Sequence, residues 1–265
     1  MIELPDVERM IDAFAGYATG KTVAGVIIDD PDSVDVDADL ADEKIRGHAI
    51  DNVERHGTYV VLRFRSGVSM VFHMGSEGEV YLESQTAPPR ENSKIRLQFA
   101  AGRELRFSSA DGEGGVQALE TDDLSGLGML ENLGIDPLSD ALTAEVFIDL
   151  ARHKPRSTLK GLLLNDKVVA GIGNEYADEI CFQAGYRPEL KIRDLEDEHL
   201  RRIHTNLRRV LRRATLHSQA AHADPGWLIN RRARGATCPR CDTKLKSLTL
   251  AGRKTYLCPR CQRSG

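Results

Sequence analysis

The sequence has no run of about 18 apolar residues, the length a membrane-spanning helix requires, so such a span is excluded. Its first residues, MIELPDVERM, carry acids where a secretory signal has a basic segment followed by an apolar one. A cytoplasmic protein is therefore expected. Cysteine is scarce: five thiols in that compartment should be reduced or metal-bound rather than paired in disulfides. Internal repeats and low-complexity tracts are absent. A surplus of positive charge is also missing, since 36 basic and 40 acidic side chains leave a net −4 that by itself suggests no polyanionic partner.

The total hides a division. Residues 1–150 hold 12 Lys/Arg against 29 Asp/Glu, whereas 151–265 hold 24 against 11, and 201–265 alone hold 16 against 2. A chain of 265 residues can bury a substantial core, and length with charge asymmetry points to two domains, the second suited to phosphate.

Val7, Met10, Ile11 and Phe14 recur at helical spacing after Pro5 and predict one short helix ending near Gly16. Strand signals follow at Thr22–Ile28, Thr58–Phe64, Ser69–Phe72, Glu79–Leu82, Ile95–Phe99 and Glu104–Phe107. They predict an N-terminal antiparallel β-sandwich with a leading helix over residues 1–125. Asp111–Gly115 reads as an acidic loop and Asp122–Pro137 as a linker. Helical periods then appear at Val146–Ala151, Leu159–Leu164, Glu175–Ala184 and Asp194–Leu216, giving an α+β multidomain chain with a helical domain at 126–225 and a separate tail at 226–265. The arginines of Asp194–Leu216 suit either a solvated helix or contact with DNA.

Cys238-x2-Cys241, sixteen residues, then Cys258-x2-Cys261 is the strongest chemical signal. Two such turns supply four thiolates to one tetrahedral Zn2+, a closed and hence structural site. Leu248–Leu257 between them reads as a zinc-ribbon hairpin with Arg253 and Lys254 beside its turn, fit to clamp phosphates or to meet a protein. Cys181, alone in a helical stretch, reads as a packed thiol. In Asn165 through Ala177, Gly171 and Gly173 permit close backbone approach, Asn174 stands where a helix begins, and Lys167 adds a charge. That arrangement fits an ordinary turn or a phosphate cradle.

These residues carry a resemblance. Asn132-Leu133-Gly134, Asn165-Asp166-Lys167, GIGNEYADEI and Ala184-Gly185-Tyr186-Arg187-Pro188 resemble the helix-two-turn-helix domain of the formamidopyrimidine-DNA glycosylase and endonuclease VIII family. The four-cysteine finger with Arg253 is similar to that family's zinc finger, and Glu3-Leu4-Pro5-Asp6-Val7-Glu8 resembles its opening signature. The resemblance implies base-excision repair by a nucleoid-associated monomer acting on DNA: a damaged base is flipped, an N-terminal amine attacks the sugar C1′, and the strand is cut through an imine. It further implies that Lys167, Gly173, Asn174 and Arg253 contact DNA phosphates and that Glu3 assists opening of the sugar ring.

Four positions depart from the family pattern. Ile2 stands where the family exposes a proline, so the nucleophilic amine would belong to Met1 or, after its removal, to Ile2. Thr58 stands for the catalytic lysine, Ser76 for a methionine that fills the flipped base's gap, and Asp111 falls in a segment where an arginine pair meets the opposite strand. The expectation is a divergent DNA glycosylase and abasic-site lyase binding damaged, abasic, single-stranded or mispaired DNA. The alternatives are a catalytically inactive lesion-binding protein of the same fold and, further off, a zinc-ribbon interaction module.

Overall fold

The computed structural model describes residues 2–110, 112–216 and 225–263. Met1 and Asp111 lie outside the described residues. The chain forms two compact units, one of residue 2 with 6–132 and one of residues 3–5 with 133–263.

Helix α1 (Leu4–Ala18), which belongs to the first unit from Asp6 onward, runs two residues past Gly16 and buries Val7, Ile11, Phe14 and Ala18 along one face. Nine strands follow: β1 (Val23–Ile28), β2 (Val34–Asp35), β3 (Ile50–His56), β4 (Tyr59–Phe64), β5 (Val68–His73), β6 (Glu79–Ser84), β7 (Ser93–Phe99), β8 (Arg103–Ser108) and β9 (Gly115–Glu120). A short helix α2 (Ala38–Leu40) precedes β3. The strands make a four-stranded sheet in the order β1-β7-β8-β6 and a five-stranded sheet in the order β2-β9-β5-β4-β3. Alternating residues of both sheets, among them Val60, Leu62, Phe72, Leu97, Leu105 and Phe107, share one core with the inner face of α1.

The sandwich is antiparallel apart from two-residue β2, which runs parallel to β9. Strands β3 and β9 lie outside the expected set for different reasons. β3 is an edge strand whose sequence, IDNVERH, fully buries only Ile50, so pairing with β4 rather than its own apolar pattern makes it a strand. β9 starts at Gly115, where the acidic loop was expected to end, and pairing with β5 carries Val116 into the core. The expected linker is also partly ordered: a 3-10 turn at Thr121–Gly126 and helix α3 (Gly128–Glu131) follow β9, and Leu124 packs on Val61 and Val71.

The second unit contains helices α4 (Ala144–Arg152), α5 (Leu159–Leu163), α6 (Asn174–Ala184) and α7 (Asp197–Leu216), then hairpin strands β10 (Lys246–Leu250) and β11 (Arg253–Leu257). Thr143 and Thr158 cap α4 and α5 by accepting from Val146 N (3.2 Å) and Gly161 N (3.0 Å). Gly185, at φ 81°, ends α6 in the left-handed conformation that suits glycine. Helix α7 places Leu200, Ile203, Leu207, Val210 and Leu211 in the core with Phe147, Leu162, Tyr176 and Ile180. Two of its arginines serve the unit itself: Arg201 pairs with Glu145, and Arg208 donates to Leu142 O (3.2 Å) and Asp140 (3.1 Å). No helix among the described residues is long and apolar enough to cross a membrane.

Candidate functional site

The start of α6 gathers several of the sequence-predicted residues. A helix leaves its first backbone N–H groups without intrahelical partners and concentrates partial positive charge there. Glu3, 2% exposed, fills that position: Oε2 accepts from Gly173 N and Tyr176 N, both at 3.1 Å, and Oε1 from Glu175 N at 2.8 Å. The segment is fixed beside it by Leu4 N donating to Gly171 O (2.8 Å). Only glycine fits at 173, because a Cβ there would come within 2.3 Å of Glu3 Cδ. Gly171 is needed for another reason, its φ of 81°.

Asn174 is the first residue of α6, and its Oδ1 accepts from Lys160 Nζ at 2.7 Å. With the oxygen committed, the amide Nδ2 is left to donate, and no described residue accepts from it. Lys160 is completely buried and also donates to Asp178 Oδ1 (2.6 Å) and Thr255 Oγ1 (2.8 Å). Burial opposes charge on both partners, lowering the lysine pKa and raising that of Asp178, while their mutual attraction acts the other way. Asp178 Oδ2 accepts in turn from Tyr256 N (3.0 Å) and Arg232 Nε (3.1 Å), and Arg232 also reaches Glu175 (2.6 Å). This buried network joins the start of α6 to β11. Two residues before Thr255, Arg253 opens β11 after the left-handed pair Ala251 (φ 49°) and Gly252 (φ 71°), and it is exposed with no side-chain partner among the described residues. Lys167 is also exposed, on a loop whose turn is set by its own N–H donating to Asn165 Oδ1 (3.1 Å).

The four sulfurs of Cys238, Cys241, Cys258 and Cys261 lie within 4.8 Å of one another, with close pairs at 3.4, 3.5 and 3.8 Å. Sulfurs about 2.3 Å from one tetrahedral ion are about 3.8 Å apart, so the set fits a single Zn2+. Backbone N–H groups of Arg240 and Cys261 point at Cys238 Sγ and Cys258 Sγ, both at 3.4 Å, as donors to thiolate. The knuckles pack on Phe182, Leu228 and Leu245, so the zinc is structural. Cys181 is wholly buried and burial pushes its thiol pKa up, which leaves it inert.

The chain can be compared with known proteins along its length. Residues 1–114 match the profile of the formamidopyrimidine-DNA glycosylase N-terminal domain, 133–223 that of the formamidopyrimidine-DNA glycosylase H2TH domain, and 235–263 the zinc finger found in FPG and IleRS. The chain belongs to the formamidopyrimidine-DNA glycosylase family. It is 31% identical to the formamidopyrimidine-DNA glycosylase of Gloeobacter violaceus, covering 100% of this chain and 98% of that one. It is likewise 31% identical to that of Marinobacter nauticus, covering 99% and 100%. Its fold is similar to Lactococcus lactis Fpg non-covalently bound to DNA containing an AP site, with a TM-score of 0.86, 23% identity, and 99% and 100% coverage.

The family departures sit in the first unit. Thr58 lies in the β3–β4 turn after Gly57 (φ 59°). Ser76 lies in the turn between β5 and β6, where Gly78 N donates to Met74 O (2.7 Å) and a Cβ on Gly78 would meet that oxygen at 2.2 Å. Arg106 is no surface cation: it is 1% exposed and donates to Glu104 (2.6 Å) and to the carbonyls of Ser84, Ala87 and Pro88, so it holds the β6–β7 loop.

Sequence reasoning did not find Lys160, Asp178, Thr255 or Arg232. One signal was available. Lys160 and Asp178 are charges placed among the apolar positions of α5 and α6, where an unpaired charge would not be tolerated.

Proposed function

We propose that this chain is a DNA repair protein that binds damaged or abasic DNA and acts as a DNA N-glycosylase and abasic-site lyase. Family membership over the whole chain supports it, as do Lactococcus lactis proteins of the same fold, one in complex with Fapy-dG containing DNA and one with DNA containing an AP site. The observation that carries the reading is the start of α6, where Glu3 is held by three backbone N–H groups and the neighbouring Asn174 amide has its oxygen committed to Lys160. We place the protein in the cytoplasm with the nucleoid.

In this reading Asn174 Nδ2, Lys167 and Arg253 donate to backbone phosphates, while Gly173, whose N–H and open face are taken by Glu3, makes room for that carboxylate rather than for a phosphate. The zinc holds the hairpin that presents Arg253 and takes no part in bond breaking. The N-terminal amine, of Met1 or of Ile2, attacks C1′ as the free base; its ordinary pKa of about 7.7–8.0 leaves a useful neutral fraction near pH 7. Glu3 relays the proton that opening of the sugar ring requires. Ile2 and uncharged Thr58 make the amine the main chemical resource, and small Ser76 gives little support to an extruded base. Activity is therefore greater on pre-formed abasic sites, which need no extrusion, than on oxidised bases in duplex, and greatest in single-stranded or mispaired contexts. Incubating the protein with DNA carrying one abasic site tests this. Strand cleavage that Glu3→Gln reduces by about 100-fold is expected. No cleavage at saturating binding would overturn the enzymatic reading and leave a lesion-binding protein.

A further inference from the structure

The arginines of α7 are not all absorbed by the unit's own ion pairs or by the proposed DNA cradle. Arg209 and Arg213, one turn apart on α7, meet Arg240 of the first zinc knuckle around a concavity of about 200 Å3 lined also by Gln183, Val210 and Trp227. Gln183 Oε1 accepts from Arg209 Nη2 (3.4 Å) and from Arg240 Nη2, so two guanidiniums converge on one neutral oxygen. Arg209 has one further partner, Asn206 Oδ1 (2.7 Å), and Arg240 lies over the Phe182 ring at 4.3 Å. Neither guanidinium has a carboxylate partner among the described residues. Glu179, an acid behind them, is fully buried and occupied: Oε1 accepts from Gln183 Nε2 (2.5 Å) and Oε2 from Ile229 N (2.8 Å). That bond also fixes the glutamine amide with its oxygen toward the arginines.

Two guanidiniums converging on one neutral oxygen, neither held by a carboxylate among the described residues, favour an anion between them. Trp227 and Val210 are themselves buried, 5% and 2% exposed, so the pocket offers no apolar shelf for a peptide side chain. Guanidinium forks from two sides match an anion with several oxygens on one centre. We infer that Arg209, Arg240 and Gln183 form a phosphoryl-binding pocket, separate from the cradle at α6 and occupied either by a DNA backbone phosphate or by a free phosphate ester.

The test uses the full-length, zinc-loaded protein. Inorganic phosphate is titrated at constant ionic strength while arginine Nε–Hε signals are followed by NMR, and the salt dependence of duplex binding is measured alongside. Saturable shifts that Arg209→Gln and Arg240→Gln each weaken at least ten-fold, with Arg212→Gln unchanged, are expected. Arg209 is remote in sequence from the zinc ligands, so it keeps the test decisive if Arg240→Gln loses zinc. A log–log salt slope flattened by about 0.9 in Arg209→Gln assigns the phosphoryl group to a DNA backbone. An unchanged slope with intact phosphate binding assigns it to a free ester. No saturable shift in the wild type together with an unchanged slope overturns the proposal, as does an equal loss in Arg212→Gln, which would reduce the effect to diffuse charge.

Discussion

Replacing Lys160 by methionine keeps most of the side-chain volume and removes one buried ammonium with its three hydrogen bonds, to Asn174, Asp178 and Thr255. Removing one partner of a buried ion pair costs about 3–5 kcal/mol, because the other charge stays buried. Asp178 retains the N–H of Tyr256 and the guanidinium of Arg232, which places the expected loss at the lower end, about 3 kcal/mol. The chain's one tryptophan, Trp227, lies in the core of the same unit, so urea unfolding followed by its fluorescence reports on that unit rather than on the sandwich. Lys160→Met/Asp178→Asn should recover about 2 kcal/mol relative to the sum of the single losses, since no buried charge is then left without its partner. DNA affinity should fall in Lys160→Met even where the unit stays folded, because Asn174 no longer has its amide orientation fixed. A loss below about 1 kcal/mol, the scale of an exposed pair, with additive single effects would refute the network as the element joining α6 to β11.

Further outcomes are expected. Cys258→Ser should lower zinc content below one per chain and weaken DNA binding through loss of the hairpin fold, checked by metal analysis and hairpin NMR; full zinc with lost binding would contradict it. Lys167→Ala and Arg253→Ala should weaken binding to all sequences and flatten the log–log salt slope on duplex by about 0.9 each, and unchanged slopes would reject these two as phosphate contacts. Burial pushes the Glu179 carboxyl up to about 7, so the folded state holds its proton more tightly than the unfolded one. Its stabilising contribution is present below about pH 4.5 and lost as pH rises through about 7, a change of roughly 3 kcal/mol at most. The stability difference between wild type and Glu179→Gln should therefore depend on pH across that window, and a flat difference would count against it.

The elements legible in the sequence are those whose own residues carry the period. α1 and α7 show one apolar face each, β4 and β5 are dense in β-branched and aromatic residues, and β7 alternates Ile95, Leu97 and Phe99 with polar positions. The zinc site was legible because its four ligands come in two local pairs whose spacing is itself the geometry. β3 was not, since an edge strand with one buried residue is made by its partner. Glu3 and Asn174 were visible as motif positions, yet their coupling to the chain was not. Glu3 meets N–H groups about 170 residues away, and Lys160 bonds Thr255 across 95 residues, separations over which no periodicity connects the partners. Arg106 illustrates the same limit, since its carbonyl partners belong to a loop that carries no sequence mark of needing a donor.

Whether this chain cuts DNA through its N-terminal amine is decided by borohydride trapping on abasic-site DNA followed by mass mapping of the adduct. A covalent complex whose adduct maps to the N-terminal residue, absent when one residue is added ahead of it, is the predicted result. An adduct on an internal lysine, or none on any abasic substrate that the protein binds, would contradict the claim.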